Sequence, residues 1–438
     1  MNKDDKNMLN NNKYNLSCQK ILDKEKELRN NCKRAYLYYK EKFKKDYPEI
    51  EIIGTNKNAY MYHDYEFENK EYLFHKFKNW NFGHTIGIDE EDYLVVQGIR
   101  IHYNKFEECK FHNIKFINCS FSGSIFKSVQ FDGVVFEDCI FTVPIMEDGK
   151  YDVDDTYYTP TIFDNCLIRG KFVLCSMENV IFSLTHISMT KFEKSKMQND
   201  LFITCSVSST EIQDCNLSNL KTYKTDLLEI DFTDDKKSIL NDNTFFDYKI
   251  HSKKPKVNMK VKTDAGWIVG DYNGVLQGKA LTLLNVSRLY DNNNLYKLSG
   301  EYYYRAKTTE YKSLKGLNKI ISLIEKILCG YGERPSFTMI TIFISIFVFA
   351  GIYMFTGINA AGETIQYTLV GGNKVRILHM ANDFWKSIFF SITTFSTVGY
   401  GNYVPIGNWS MLFSGIQMII GVSLCALWTG CLLRKIIR

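Results

Sequence analysis

Phenylalanine recurs every fifth residue at Phe106, Phe111, Phe116, Phe121, Phe126, Phe131, Phe136 and Phe141. After an interruption the apolar period resumes one frame later, at Ile162, Leu167, Phe172, Met177, Phe182, Ile187, Phe192, Met197, Phe202, Val207, Ile212 and Leu217. Two residues before most of these centres stands a small or apolar residue, as at Cys109, Cys119, Ser124, Cys139, Thr185 and Ser195. A helix repeats every 3.6 residues and a strand every 2, so neither produces this spacing. So short a repeat predicts a solenoid whose stacked turns bury one continuous core. The pattern changes downstream. Phe337–Phe355 runs nineteen residues without a charge and Met411–Leu433 runs twenty-three. At about 1.5 Å of rise per residue, each crosses a hydrocarbon core of roughly 30 Å. Between them Phe384–Phe395, broken by Lys386, is too short to span and predicts a helix that dips in and returns. Helical spacing also marks Gly274–Tyr290 and Leu295–Tyr311 as a hairpin. Leu317, Ile320, Ile321, Ile324, Ile327 and Leu328, with Lys315, Lys319 and Lys326 nearby, form an amphipathic helix suited to the inner membrane surface or to packing on that hairpin. A further helix is expected near Leu22–Tyr47, after a Lys- and Asn-rich tail.

The five-residue pattern resembles that of pentapeptide-repeat proteins. The resemblance implies a right-handed quadrilateral β-helix with four pentapeptides per turn, the centres and the residues two before them pointing inward. Roughly five turns stacked at about 4.8 Å would make a rod of about 25 Å. Most of the twelve cysteines fall on inward repeat positions and none forms a CxxC pair. They read as small, polarizable packing residues, kept as thiols in a reducing compartment. The stretch 142–161 interrupts the repeats and carries Glu147, Asp148, Asp152, Asp154 and Asp155. It reads as a solvated insertion, with a bound cation as the alternative; it lacks EF-hand ligand spacing.

Thr397, Val398, Gly399, Tyr400 and Gly401 spell TVGYG between the two long apolar runs. A potassium ion entering a narrow pore must exchange its hydration shell for other oxygens, and four copies of this pentad supply rings of backbone carbonyls. Thr397 adds a hydroxyl ring, and the glycines permit the backbone conformations that aim the carbonyls inward. Non-helical backbone at membrane depth requires burial in protein or a water-filled path, which a returning helix followed by TVGYG provides. Lys315, Lys319, Lys326 and Arg334 precede the first span, and Arg434, Lys435 and Arg438 follow the second, against Lys374 and Arg376 in the connecting loop. Both termini are therefore expected in the cytoplasm of a multi-pass cell-membrane protein. The first fifty residues have no apolar core and predict no cleavable signal peptide.

Residues 335–438 resemble the pore module of two-transmembrane potassium channels: outer helix, pore helix, TVGYG, inner helix. The resemblance implies a homotetramer around a fourfold axis, potassium bound at Thr397–Gly401, and a gating-hinge role for Gly421. Two positions depart from the common pattern. Asn402 stands where many relatives have Asp, and Thr393 where some have Glu, so a carboxylate pair bracing the filter is unavailable. GEYYYR at 300–305 and CGYGERP at 329–335 are similar to segments of bacterial channel-like proteins that join pentapeptide repeats to a two-helix pore.

The chain is thus read as a multidomain membrane protein. Residues 1–95 form a partly helical N-terminal region and 96–225 the β-helix with its insertion at 142–161. Residues 226–332 form a linker with a helical hairpin and an amphipathic juxtamembrane helix, and 333–438 an all-α two-transmembrane pore domain. Its expected function is a potassium-selective, tetrameric channel in the lipid bilayer, with potassium as the bound and transported ion. The cytoplasmic repeats would serve regulation or assembly by engaging a ligand or protein and pulling on the pore through the helices of 274–332. The alternatives are a non-selective cation pore and a membrane-anchored repeat scaffold. A net charge of +5 and nearly balanced charges across 96–225 give no reason to expect a nucleic-acid partner or a nucleic-acid mimic. Neither an arginine-rich extra membrane helix nor a nucleotide-binding G-x-G-x-x-G appears. No nucleophile–base pair, phosphate loop or metal constellation suggests an enzyme.

Overall fold

The computed structural model describes residues 3–53, 67, 70–83, 93–144, 146–147, 150–151, 158–232, 237–251, 272–367 and 377–437. They form two compact units, Met1–Glu310 and Tyr311–Arg438.

In the first unit, short parallel strands stack turn upon turn. One side is an eight-stranded ladder that includes Lys105–Glu107, Ile125–Lys127, Ile162–Asp164, Ile181–Ser183 and Leu201–Ile203. Side chains inside the coil line up in four columns. Phe77, Phe106, Phe126, Phe163, Phe182 and Phe202 stack face to face at 4.6–5.1 Å. Phe82, Phe111 and Phe131 form a second column, and Phe116, Phe136, Phe172 and Phe192 a third. Phe121 and Phe141 begin a fourth, which the buried Met177, Met197 and Leu217 continue. Ring spacing equals strand spacing because each ring rides on its own strand. Four columns give the coil four sides, a β-helix-like solenoid. At its corners residues such as Asn113, Asn118, Asp138, Leu184 and Met189 take left-handed φ of 46–52°. Leu184 and Met189 are exposed there because a corner side chain points outward.

The small residues two before each centre do more than fit. The Cys109 thiol donates to the Phe77 carbonyl of the preceding turn at 3.4 Å, and Cys139, Cys175 and Cys205 do the same to Phe116, Phe136 and Phe182. Thr185, Ser195 and Thr225 repeat the bond with hydroxyls. Burial pushes the thiols of Cys109, Cys166, Cys175 and Cys205 up to about 12, so they remain protonated donors.

The frame after the interruption differs from the period read along the chain. Phe163 and Ile168 enter the core, not Ile162 and Leu167. Strand Gln130–Glu137 carries one residue more than its partner Leu167–Val173: pairing steps from Asp132–Arg169 to Val134–Gly170, leaving Gly133 bulged at φ 68°. A Cβ on Gly170 would lie 2.0 Å from the Val134 carbonyl oxygen, so the register needs glycine there. Ile162 instead faces the outside of the coil. It joins Ile181, Leu201 and Ile203 in a cluster with Ile21, Leu28 and Cys32 of helix α1 (Lys3–Lys42), which begins well before Leu22. The coil also extends beyond residues 96–225. Ile50–Ile53 and His75–Lys78 pair ahead of it, and Asp226–Asp231 continues it. Within the insertion, Thr142–Pro144 pairs antiparallel with Tyr158–Pro160; Asp148, Asp152, Asp154 and Asp155 lie outside the described residues.

The far end of the coil is covered by helices α2 (Tyr272–Asn292) and α3 (Tyr296–Ser313). Leu283, Val286, Leu289 and Tyr290 join the solenoid core. Thr282 accepts the Ile230 amide at 3.1 Å, and the Tyr290 hydroxyl donates to the Thr244 carbonyl at 2.7 Å, satisfying an otherwise open end. Lys279 is fully buried at this cap and donates to the Asp247 carbonyl at 2.6 Å. Burial lowers its pKa from 10.5 to about 8, while the Asp247 and Asp226 carboxylates oppose the shift. Between those two values the unfolded chain binds more protons than the folded one, so stability rises with pH across that window. Raising pH from 8 to 10 should therefore stabilise the wild type relative to Lys279→Met, by roughly 3 kcal/mol at most. Thermal unfolding of both full-length proteins checks this; parallel pH responses would contradict it.

The second unit contains helices α4 (Gly316–Cys329) and α5 (Pro335–Thr356), a three-stranded antiparallel sheet of Ile358–Ala360, Glu363–Ile365 and Tyr403–Pro405, then α6 (Ile377–Phe395) and α7 (Gly407–Ile437). Helices α5 and α7 are long and apolar enough to cross a membrane. Helix α6 starts seven residues ahead of its apolar stretch, in a polar half containing His379, Asp383 and Lys386.

Candidate functional site

Helix α6 ends at Phe395, and the next seven residues are neither helix nor strand. This segment hangs from the end of α6: the Thr397 amide donates to Thr394 O at 3.1 Å and the Val398 amide to Thr393 O at 3.0 Å. Its far end is tied down as well. The Asn402 carbonyl accepts the Ala361 amide at 2.9 Å, and Tyr403–Pro405 enters the small sheet. Between these anchors φ is positive at every second residue: 56° at Thr397, 54° at Gly399 and 84° at Gly401. Two of the three are glycines, for which the left-handed region is free of strain. Thr397 is β-branched, and a left-handed conformation there is a strained outlier costing about 1–3 kcal/mol. In a single chain Val398 and Tyr400 are more than half exposed, and Tyr400 stacks on Phe389 at 6.2 Å and 12°. A Cβ on Gly399 or Gly401 would meet nothing within 4 Å among the described residues.

Behind the segment lies a buried polar network that the pattern of apolar residues did not reveal. The Tyr353 hydroxyl of α5 donates to Gln417 Oε1 of α7 at 2.7 Å. Gln417 Nε2 donates to Ser391 Oγ of α6 at 2.7 Å and to the Ser391 carbonyl at 3.1 Å, and the Ser391 hydroxyl donates to Ile346 O at 2.8 Å. One connected set of bonds thereby joins all three helices. Tyrosine, serine and glutamine inside otherwise apolar helices were the available signal, since side chains of this type hydrogen-bond across membrane helices. Of the two departures, Thr393 is buried and its hydroxyl donates to the Phe390 carbonyl at 2.9 Å. At the membrane-exterior end predicted from the chain, Tyr367 donates to Asp383 at 2.6 Å, and Lys386 pairs with Glu363.

Gly421 lies where α7 crosses the end of α6. A Cβ there would sit 2.2 Å from the Phe395 carbonyl oxygen, so the close approach of the two helices depends on glycine. At the other end of α7, Arg434 pairs with Glu333 at 2.9 Å, linking the helix to the turn between α4 and α5. That turn follows a left-handed Gly330 and leads into Pro335 at the first turn of α5. Helix α4 leaves Leu317, Ile320, Ile321, Ile324 and Ile327 exposed.

Residues 362–438 match the family described as ion channel, and residues 106–144 match pentapeptide repeats, in 9 copies. No curated protein matches the chain. Among solved structures, full-length QnrB1, a plasmid-mediated fluoroquinolone resistance protein, is 15% identical, covering 32% of this chain and 80% of its own, with a TM-score of 0.16. HetL, a pentapeptide repeat protein involved in heterocyst differentiation regulation from the cyanobacterium Nostoc sp. strain PCC 7120, is 9% identical, covering 37% and 76%, with a TM-score of 0.12.

Proposed function

We infer that this chain, which joins pentapeptide repeats to an ion-channel module, is the subunit of a potassium-selective tetrameric channel with Thr397, Val398, Gly399, Tyr400 and Gly401 as its filter. The observation that carries the reading is the alternating left-handed backbone at Thr397, Gly399 and Gly401, held at both ends between two membrane-length helices. One such strand offers carbonyls from one direction only. An ion stripped of water needs oxygens all round, so several copies must meet on an axis, and fourfold symmetry matches the filter chemistry. The exposure of 396–402 in a single chain suits burial against sister copies. The end of α6, whose last carbonyls carry partial negative charge, adjoins Thr397 and favours a cation there. The network of Tyr353, Gln417 and Ser391 holds α6, and with it the filter, against both spans. Gly421 serves the same end by letting α7 reach the Phe395 carbonyl; as a hinge it would also let α7 bend.

The exposed aliphatic face of α4, with Lys315, Lys319 and Lys326 around it, fits a helix lying in the inner lipid interface. In that orientation both termini and the repeats are cytoplasmic. The function is tested by the potassium-to-sodium permeability ratio of the purified protein in liposomes, expected to be far above one.

A further inference from the structure

Helix α1 is laid along one flank of the coil, anchored by Ile21, Leu28 and Cys32. Near its later turns the helix and the coil leave a cleft of about 400 Å³ between them, within the usual range of small-molecule sites. We propose that this cleft binds an organic anion carrying a planar ring, of mononucleotide size.

Its walls supply the two chemistries such a ligand needs. Arg29 and Lys33 reach it from α1 and Lys105 from the coil, and no carboxylate is among the described residues lining it. Arg29 is engaged by Glu25 at 2.8 Å, but Lys33 and Lys105 form no ion pair among the described residues. Two described carboxylates near the cleft are already engaged, Glu25 by Arg29 and Glu49, 3.5 Å from the Tyr36 hydroxyl, by Lys40 and Lys76. Two cations on opposite walls of one cleft, with no ion-pair partner among the described residues, therefore leave a positive field that attracts an anion. The aromatic part comes from Tyr36 and Tyr103. The Lys105 ammonium stands 5.2 Å from the Tyr36 ring centre, so charge and ring face are adjacent. Tyr103 is fixed in place: it stacks on Phe74 at 5.7 Å, and the Gly123 beneath it has no room for a side chain, since a Cβ would meet the Tyr103 ring at 2.6 Å. A rigid ring beside cations that have no ion-pair partner among the described residues selects a flat anion over a bare one. A ligand reaching both Lys33 and Lys105 would also clamp α1 to the coil.

The test is calorimetric titration of the full-length protein in detergent with adenosine 5′-monophosphate, adenosine and inorganic phosphate as probes. The monophosphate is expected to bind once per chain, at least about tenfold more tightly than either fragment, a difference of about 1.4 kcal/mol. The double variant Lys33→Glu/Lys105→Glu should weaken it at least about tenfold. Lys44→Glu/Lys45→Glu, which makes the same charge change on exposed side chains off the cleft, should leave it unchanged. Absence of monophosphate binding, phosphate binding as tightly as the nucleotide, or equal loss in both double variants would each overturn the proposal.

Discussion

Gly399→Ala is expected to abolish the proposed selective potassium flux while leaving the protein folded and assembled. Gly399 stands at φ 54° with nothing within 4 Å of where a Cβ would lie, so the added methyl has room within the subunit. The cost is conformational. An L-residue in the left-handed region pays about 1–2 kcal/mol, and the proposed fourfold ring would pay it four times. The strand would relieve that cost by rotating the peptide, which in the proposed assembly takes one ring of carbonyls off the axis. Thr397 already bears the strain of a left-handed β-branched residue, which leaves the proposed filter little tolerance for another. Rubidium uptake into liposomes, read beside the elution volume of the solubilised protein, separates the two effects. Unchanged uptake in the variant would show that Gly399 does not shape the conducting path.

Gly421→Ala is the second large effect. The new Cβ would lie 2.2 Å from the Phe395 carbonyl oxygen, which is backbone and cannot swing aside. Helix α7 must retreat from α6 by about an ångström or more, and overpacking of this kind costs about 1–3 kcal/mol per copy. Because Val398 hangs from the Thr393 carbonyl, two residues before Phe395, the displacement passes directly to the 397–401 segment. A lowered unfolding temperature together with lost flux is expected. Gly351→Ala in α5, where a Cβ would touch nothing within 4 Å among the described residues, is the control and should be tolerated. If Gly421 acts only as a hinge, its alanine variant will unfold at the wild-type temperature and differ only in opening.

Much of the solenoid is legible in the chain because its period is carried by large side chains that must all go inside. The turn containing Tyr72, Phe77 and Phe82 escapes notice for a local reason: Lys70, His75 and Trp80 stand two before these centres, where small residues mark the later turns. The frame at Phe163 and Ile168 depends on a bulge at Gly133, and one glycine in a strand does not announce a change of register. Helical periodicity identifies α2 and α3 but not what they cover; Tyr290 and Tyr302 meet the coil across 46 and 56 residues of sequence. The pore divides similarly. TVGYG is a contiguous signal, and its glycines predict the left-handed positions at 399 and 401. The bonds that hold it in place join Tyr353 to Gln417 across 64 residues and Gln417 to Ser391 across 26, so they belong to packing and not to any local pattern.

Selectivity for potassium is read from the reversal potential. Purified protein in a planar bilayer or liposome is placed between equal concentrations of potassium on one side and sodium on the other. A potassium-selective pore gives current that reverses far from zero, in the direction set by potassium leaving its own side. A reversal at zero, with both ions carrying current, would mean that the pore does not select potassium over sodium.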